Sequence, residues 1–185
     1  VAREVGVSPP TVRKWRAVLE ASGLVRLLEP YHASLGKRIV KSPKLYVTDT
    51  GLAAFLLGFD GPAAVLKSRF AGPLFETHVI GQWLRWRDWR CPSAGLWYWR
   101  DRSGHEVDLL VERSGMLHAI ECKLTAAPAP RDAGGIGRLR AMYGGMVAPQ
   151  AWIACTASGV FDVGEGIGAA PGWTAWDPDR GPLPA

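Results

Sequence analysis

The sequence has no apolar stretch that approaches the roughly 20 residues required to cross a bilayer. Its first residues, VAREVGVSPP, contain neither the basic nor the apolar segment of a secretory signal. We therefore expect a cytoplasmic protein without a membrane partner. Apolar residues make up 48% of the 185 residues, which is sufficient for a packed core.

Residues for metal and nucleotide motifs are also scarce. The three cysteines and four histidines show no metal-ligand spacing, which argues against a structural zinc site and a disulfide framework. No segment matches G-x-x-x-x-G-K-[ST], and SLGKRI lacks both the first glycine and the final Ser or Thr. The sequence therefore contains no nucleotide-binding P-loop of its own.

Acidic residues are few in the first quarter of the chain. Residues 1–48 carry nine Lys and Arg against three Glu, a balance of +6, whereas the remainder carries −1 of the total +5. This asymmetry predicts that a polyanion binds the N-terminal quarter. A solvated basic face with no partner remains an alternative.

The basic quarter has the pattern of a helix-turn-helix motif. Gly6 interrupts a short helical pattern, Ser8 is a candidate N-cap for a second helix, and Gly23 ends that helix. Its apolar stripe is Val12, Trp15, Val18 and Leu19. The side chains expected to face a major groove are Thr11, Arg13, Lys14 and Arg16.

Two predicted strands, LVRLLEPYH and KSPKLYVTD, follow the second helix and are joined by a basic loop. This layout is typical of a winged helix-turn-helix, which we place at residues 1–57, truncated at its N-terminus. The loop residues expected to contact DNA phosphates are Lys37, Arg38 and Lys41. Docking to a protein is the alternative, and the abrupt start predicts a C-terminal piece of a longer protein.

After a Gly- and Pro-containing linker at 58–64, residues 65–185 predict a second α/β domain. Strands at 96–101, 106–112 and 117–124 precede a helix at 136–145 and a strand at 150–156, which favours a mixed sheet flanked by helices. A helix at 72–88 has an apolar stripe that Glu76 interrupts. The segment beyond Gly159 is expected to be mostly irregular.

The hairpin EVDLLVE–RSGM–LHAIECKL carries the candidate metal site. Strict alternation would place Val107, Leu109 and Val111 on one face, with Asp108 and Glu121 as neighbours on a solvated face. Two adjacent carboxylates require a positive group between them. Mg²⁺ or Mn²⁺ suits this position, because Mg²⁺ binds through one or two carboxylates while keeping several waters.

Lys123 and Glu76 complete the candidate site. Lys123 would orient water or stabilise charge on a phosphodiester, and Glu76 would be a supporting carboxylate. A solvated Glu121–Lys123 charge pair, or Lys123 as a simple phosphate contact, remains an alternative. Glu106 and Glu112 are expected to be ordinary surface charges.

The order Glu76, Asp108 in EVD, and Glu121-x-Lys123 in IECK resembles the PD-(D/E)XK nuclease superfamily. The chain is similar, more specifically, to a domain of unknown function found C-terminal to AAA+ type ATPases in archaea and bacteria. The motifs that carry this resemblance are LEPY, KSPKLYVTDTGL, GPLFE, WYWRDRSGHEVDLL and AIECKL. The resemblance covers most of residues 1–125 and implies a restriction-endonuclease-like core, with Glu76, Asp108, Glu121 and Lys123 at the nuclease positions.

Two functions follow as expectations. The first is a DNA-binding, Mg²⁺-dependent nuclease-type domain that acts as the C-terminal part of an ATPase. The second is a catalytically silent nuclease-like scaffold that binds DNA or the ATPase domain of its parent chain. The sequence specifies neither the DNA that is recognised nor an oligomeric state.

Overall fold

The computed structural model describes residues 2–31, 42–173, 176–177 and 181–182. The helices are α1 (Ala2–Val5), α2 (Pro9–Ala21), α3 (Thr50–Leu56), α4 (Pro62–Leu66), α5 (Ala71–Arg90) and α6 (Gly134–Tyr143). The strands are β1 (Val25–Pro30), β2 (Lys44–Val47), β3 (Gly95–Arg100), β4 (Glu106–Arg113), β5 (Met116–Cys122), β6 (Ala151–Cys155), β7 (Phe161–Gly164), β8 (Ile167–Pro171), β9 (Trp176–Asp177) and β10 (Gly181–Pro182). Short 3₁₀ helices occupy Pro130–Ala133 and Gly144–Met146.

Side-chain caps start two of the early helices. Ser8 precedes α2, and its Oγ accepts a hydrogen bond of 3.3 Å from the Thr11 N–H. Asp49 precedes α3 and accepts from the Gly51 and Leu52 N–H groups at 2.7 and 3.0 Å. Each cap satisfies backbone donors that the first helical turn leaves unpaired. The predicted cap at Ser8 is therefore confirmed.

One eight-stranded mixed sheet organises the protein, with strand order β2-β1-β3-β4-β5-β6-β8-β7. The predicted pair after α2 is present, because β1 and β2 are antiparallel. β1 also pairs in parallel with β3, through Glu29 with Trp97 and Pro30 with Tyr98. Strand β2 is therefore an edge strand of the main sheet.

Helices cover both faces of this sheet. On one side, α5 packs against the sheet through a buried cluster that includes Val79, Ile80 and Trp83. On the other side, Ile136 and Leu139 of α6 belong to a second buried cluster. The expected α/β class, with a mixed sheet flanked by helices, is confirmed.

The alternation predicted for β4 is interrupted by a β-bulge. Leu110 of β4 is opposite Trp97, and Val107 is opposite Trp99, so β4 uses three residue steps where β3 uses two. Leu109 and Val111 consequently lie in the α5-side cluster, whereas Val107 lies in the α6-side cluster. The prediction that these three residues share one face is wrong.

The segment after Gly159 was also predicted incorrectly, because it contains β7 and β8. All five residues of β8, IGAAP, are buried between β6 and β7. A Cβ on Gly168 would meet the Trp152 ring at 2.5 Å, so the indole packs where a side chain is missing. A strand of small residues lacks the β-branched signal that sequence patterns rely on.

The linker expected at 58–64 contains the start of helix α4, whose first residue is Pro62. Proline favours the first helical turn, so the same residue that suggests a linker starts this helix. The predicted wing-loop residues Lys37, Arg38 and Lys41 lie outside the described residues. Among the residues that the structure describes, no helix is long and apolar enough to span a membrane.

Candidate functional site

The four candidate site residues come from three neighbouring parts of the fold. Glu76 lies near the start of α5, Asp108 lies in β4, and Glu121 and Lys123 lie at the end of β5 and just beyond it. The β4–β5 hairpin closes through a two-residue turn in which Ser114 and Gly115 have φ of 51° and 76°. Such a turn fixes the register of its strands.

Asp108 and Glu121 are held together by backbone donors. The Asp108 N–H donates to Glu121 Oε2 at 3.4 Å, and the Cys122 N–H donates to Asp108 Oδ2 at 2.9 Å. Asp108 and Glu121 are only 9% and 6% exposed. The two carboxylates are therefore neighbours, as predicted, but the expectation of a solvated face is wrong because both side chains are buried.

Lys123 joins this pair through Glu121. Its Nζ lies 3.2 Å from Glu121 Oε1, and about a third of its side chain is exposed. Burial tends to lower the pKa of Lys123, but the charge of Glu121 and its hydrogen bond outweigh this effect and raise it. The ammonium is thus kept positive at the edge of the site.

Lys44 of strand β2 brings Glu76 into the same group. Its Nζ lies 2.9 Å from Glu76 Oε1 and 3.5 Å from Asp108 Oδ1. It also contacts Glu106 Oε1. These contacts define the acidic cluster: four carboxylates, on Glu76, Glu106, Asp108 and Glu121, with the ammonium groups of Lys44 and Lys123.

Sequence reasoning missed three members of this site. Lys44 was counted only in the basic charge of the first quarter, and Glu106 was taken as a surface charge although its side chain is only 23% exposed. Tyr46 was not considered, yet its hydroxyl donates to Glu76 Oε1 at 2.6 Å. The available signal was the two-residue spacing of Lys44 and Tyr46, which places both on one face of β2.

The electrostatics of the acidic cluster favour additional positive charge. Burial and the charge of Asp108 raise the pKa of Glu121 to about 8, although Lys123 opposes the shift. Burial and the charge of Glu76 likewise raise the pKa of Asp108 against the effect of Lys44. Burial would lower the pKa of Lys44, but its carboxylate neighbours raise it overall. Two lysines therefore do not balance the carboxylates when all of them are ionised.

The side chains present suit a metal that is bound by one or two carboxylates, but not a metal that is enclosed by protein ligands alone. The described part of the chain has no group of three or more His, Cys, Asp or Glu side chains that could hold a metal ion. An all-protein cage is therefore absent from these residues. Asp108 and Glu121 nevertheless supply the one or two carboxylates through which Mg²⁺ is commonly bound.

The candidate DNA contacts on α2 lie in a different environment. Arg13 and Lys14 are exposed, whereas Thr11 and Arg16 are half-buried. The Thr11 hydroxyl lies 2.8 Å from Ser8 Oγ, and Arg16 Nε lies 3.3 Å from Glu20. Arg13 and Lys14 therefore present their charge to solvent, as a phosphate-binding surface requires.

Two family models match the chain. Domain of unknown function (DUF8612) matches residues 1–63, and Domain of unknown function (DUF4143) matches residues 71–172, which is more than half of the chain. The acidic cluster draws residues from both matched segments, because Lys44 and Tyr46 lie in the first and the carboxylates in the second. The two segments therefore meet at this site.

Curated relatives occur in mycobacteria. The chain is 36% identical over 129 residues to Uncharacterized protein Rv2008c of Mycobacterium tuberculosis and, to the same extent, to Uncharacterized protein Mb2031c of Mycobacterium bovis. The alignment covers 70% of this chain and 28% of each relative, so the chain spans well under half of their length. No solved structure matches the chain.

Proposed function

The chain belongs to the family described as Domain of unknown function (DUF4143), and from this premise we propose that its acidic cluster is a nuclease-type site. In this proposal, the domain is a Mg²⁺- or Mn²⁺-dependent endonuclease that hydrolyses phosphodiester bonds in DNA. One observation carries the proposal: Asp108 and Glu121 lie side by side, with Lys123 bonded to Glu121 at 3.2 Å. Carboxylates and a lysine in contact are the groups that metal-assisted phosphodiester hydrolysis uses.

Each residue has a distinct part in this reaction. Asp108 and Glu121 would hold the metal, which when bound would supply positive charge to the phosphate and acidify water. Lys123 would donate hydrogen bonds to the phosphate or to the attacking water, since its raised pKa keeps it protonated. Glu76 would support the site from α5 as a neighbouring carboxylate whose charge acts on Asp108.

DNA binding belongs to the same proposal. The residues around α2 would act as a winged helix-turn-helix, with Arg13 and Lys14 on phosphates or base edges and the core being restriction-endonuclease-like. The chain's resemblance to domains that follow AAA+ ATPases supports a cytoplasmic parent protein in which the ATPase is the partner. Co-purification of this domain with the separately expressed remainder of the parent protein would test that partnership.

Cleavage of plasmid DNA with Mg²⁺ or Mn²⁺ tests the catalytic proposal. We expect Asp108→Asn, Glu121→Gln and Lys123→Met each to reduce the rate by about a hundredfold or more. Asp60→Asn is the matched control, because Asp60 is an exposed carboxylate outside the acidic cluster. Equal cleavage by all four variants, or no cleavage by the unaltered protein, would contradict the proposal.

The second candidate is a catalytically silent scaffold, and the position of Lys44 favours it. Its ammonium already neutralises part of the charge of Glu76, Glu106 and Asp108. A scaffold of this kind would bind DNA in EDTA with an affinity that falls as salt rises. Neutralising Arg13, Lys14 and Arg16 together would then abolish binding, whereas changes in the acidic cluster would not.

A further inference from the structure

Lys44 is bound as a cation by the residues around it. An ammonium group has three N–H donors, and Lys44 Nζ has three carboxylate partners, on Glu76, Glu106 and Asp108. Its side chain is 24% exposed, so most of it is enclosed by the protein. The Tyr98 ring centroid, 5.4 Å from Nζ, provides a further contact for the positive charge.

The oxygen of Asp108 that faces Lys44 is the more available one for a metal. Asp108 Oδ2 already accepts the Cys122 N–H at 2.9 Å, which uses part of its lone-pair capacity. Asp108 Oδ1 faces the ammonium at 3.5 Å. A divalent cation bound to Oδ1 would therefore meet the charge of Lys44 at close range and be repelled.

Strand β2 holds this ammonium in place with a second residue. Tyr46 lies two residues further along β2 and donates to the same oxygen, Glu76 Oε1, that Lys44 contacts. Strand β2 is also an edge strand, and within the described residues its pairing partner is β1. The element that carries Lys44 is therefore held by β1, by the burial of Tyr46 in the α5-side core and by contacts to the acidic cluster.

We propose that Lys44 is a built-in inhibitor of metal binding: its ammonium competes with a divalent cation for Asp108 Oδ1 and the neighbouring carboxylate oxygens. The inference rests on the proposed metal-dependent function and adds its regulation. Metal binding requires Lys44 to leave the acidic cluster. A ligand that draws the Lys44 ammonium away strengthens metal binding, and the metal strengthens binding of that ligand by the same factor.

Direct Mn²⁺ binding, measured by the electron paramagnetic resonance signal of free Mn²⁺, tests this inference without an activity assay. Lys44→Met removes the charge and keeps an apolar stem, and we expect it to tighten Mn²⁺ binding about tenfold or more. Lys44→Arg keeps the charge and should stay within about threefold of the unaltered protein. In the double variant with Lys44→Met and Asp108→Asn, the increase in Mn²⁺ affinity should be lost.

Arg100→Met is the matched control for loss of a nearby positive charge. Arg100 Nε lies 3.5 Å from Glu106 Oε2, but its side chain is 48% exposed. We expect less than about a threefold change in Mn²⁺ affinity, because solvent screens this charge. Equal affinity in Lys44→Met and the unaltered protein, or equal tightening in Arg100→Met, would overturn the inference.

A second measurement uses the unaltered protein and decides the matter if Lys44→Met does not fold. The side-chain ¹⁵Nζ resonance of Lys44 is assigned by its loss in Lys44→Arg, and Mg²⁺ is then added. We expect this resonance to shift or broaden as the ammonium leaves its carboxylate partners. A resonance that stays unchanged up to saturating Mg²⁺ would overturn the inference.

The two proposals fail in different ways. Tighter Mn²⁺ binding by Lys44→Met without DNA cleavage by any variant overturns the nuclease function and supports the competition. DNA cleavage by the unaltered protein, together with unchanged Mn²⁺ affinity in Lys44→Met, overturns only the competition. Absence of Mn²⁺ binding in both proteins overturns both.

Discussion

Helix α2 and strand β4 are regular elements that the sequence pattern predicts, yet the structure buries them very differently. Trp15 and Val18 of α2 are 49% and 66% exposed, whereas Leu109 and Leu110 of β4 are completely buried. Strand β4 lies inside the sheet between β3 and β5 and has a helix over each face. An apolar periodicity therefore predicts the type of element, but its neighbours determine how much of it is buried.

The charged residues of the two regions differ in the same way as the apolar ones. Arg13 and Lys14 of α2 are exposed, but Asp108 in β4 and Glu121 in β5 are enclosed. A charge in water is strongly screened, whereas a buried charge interacts strongly with its neighbours. We therefore expect changes in the hairpin to affect stability, and changes on α2 to affect binding.

The largest expected difference between the two regions concerns their apolar residues. Leu109→Ala should lower the free energy of unfolding by about 4 kcal/mol, because it leaves a cavity in the α5-side core. Val18→Ala should change it by less than about 0.5 kcal/mol, because Val18 is largely exposed. Urea unfolding measures both, and similar losses at the two positions would refute the contrast.

The next effect concerns pH and the buried carboxylates. Burial raises the pKa of Glu121 to about 8 in the folded protein, whereas the carboxyl of the unfolded chain loses its proton near pH 4.5. Between these two pH values, the folded protein holds a proton that the unfolded chain has lost. The contribution is thus full below pH 4.5 and lost as pH rises through about 8, and about 3 kcal/mol of the loss falls between pH 5 and 8. Urea unfolding in EDTA between pH 5 and 8 measures the decline.

Glu121→Gln is the control for this titration, since it cannot lose a proton. We expect more than half of the decline between pH 5 and 8 to disappear in this variant. A decline of the same size in Glu121→Gln would show that Glu121 is not responsible for it.

The third expected effect concerns the proposed DNA binding by α2. Replacing Arg13 and Lys14 together with alanine should weaken DNA binding by about tenfold and reduce the slope of log K against log salt by about 2. Fluorescence anisotropy with labelled duplex DNA measures both quantities. The free energy of unfolding should remain unchanged, because both side chains are exposed. Glu4→Gln provides a charge-changing control in α1. Unchanged DNA affinity would remove α2 from the proposed interface.

The smallest expected effect concerns the helix cap. Ser8→Ala removes the acceptor of the Thr11 N–H and should destabilise the protein by about 1 kcal/mol. Ser8→Thr, which keeps a hydroxyl, should recover most of this loss. Unfolding monitored by circular dichroism measures the difference, and a loss as large as that of Leu109→Ala would mean that α2 is more tightly coupled to the core than its exposure indicates.

Much of the fold could be predicted from local patterns. Helix α5 and strands β3 to β6 lie within about two residues of their predicted positions, because long apolar periodicities and a Ser-Gly turn specify them locally. Strand β8 could not be predicted, because its small residues carry little apolar signal and are buried by distant neighbours, such as Trp152 over Gly168. The exposure of Trp15 and Val18 likewise depends on what lies beside α2 and not on their spacing.

Part of the candidate site could likewise be predicted from the sequence, and part could not. Strand alternation, the interrupted stripe of α5 and the resemblance to nuclease motifs indicated Glu76, Asp108, Glu121 and Lys123. The structure connects all four through direct contacts or through Lys44. Glu106 was treated as a surface charge because its own strand offers no sign of a partner. That partner comes from a strand that is 62 positions earlier in the chain.

By itself, the sequence determined most of the helices, strands and turns as far as β6, because caps, periodicity and turn residues act over a few neighbouring positions. The tertiary structure alone decided that Asp108 and Glu121 are buried, that a bulge shifts the faces of β4, and that Lys44 lies among the carboxylates. These features depend on strand order and long-range pairing. Because strand β2 joins the same sheet as β4, a lysine counted with the basic N-terminal quarter becomes the cation of the acidic cluster.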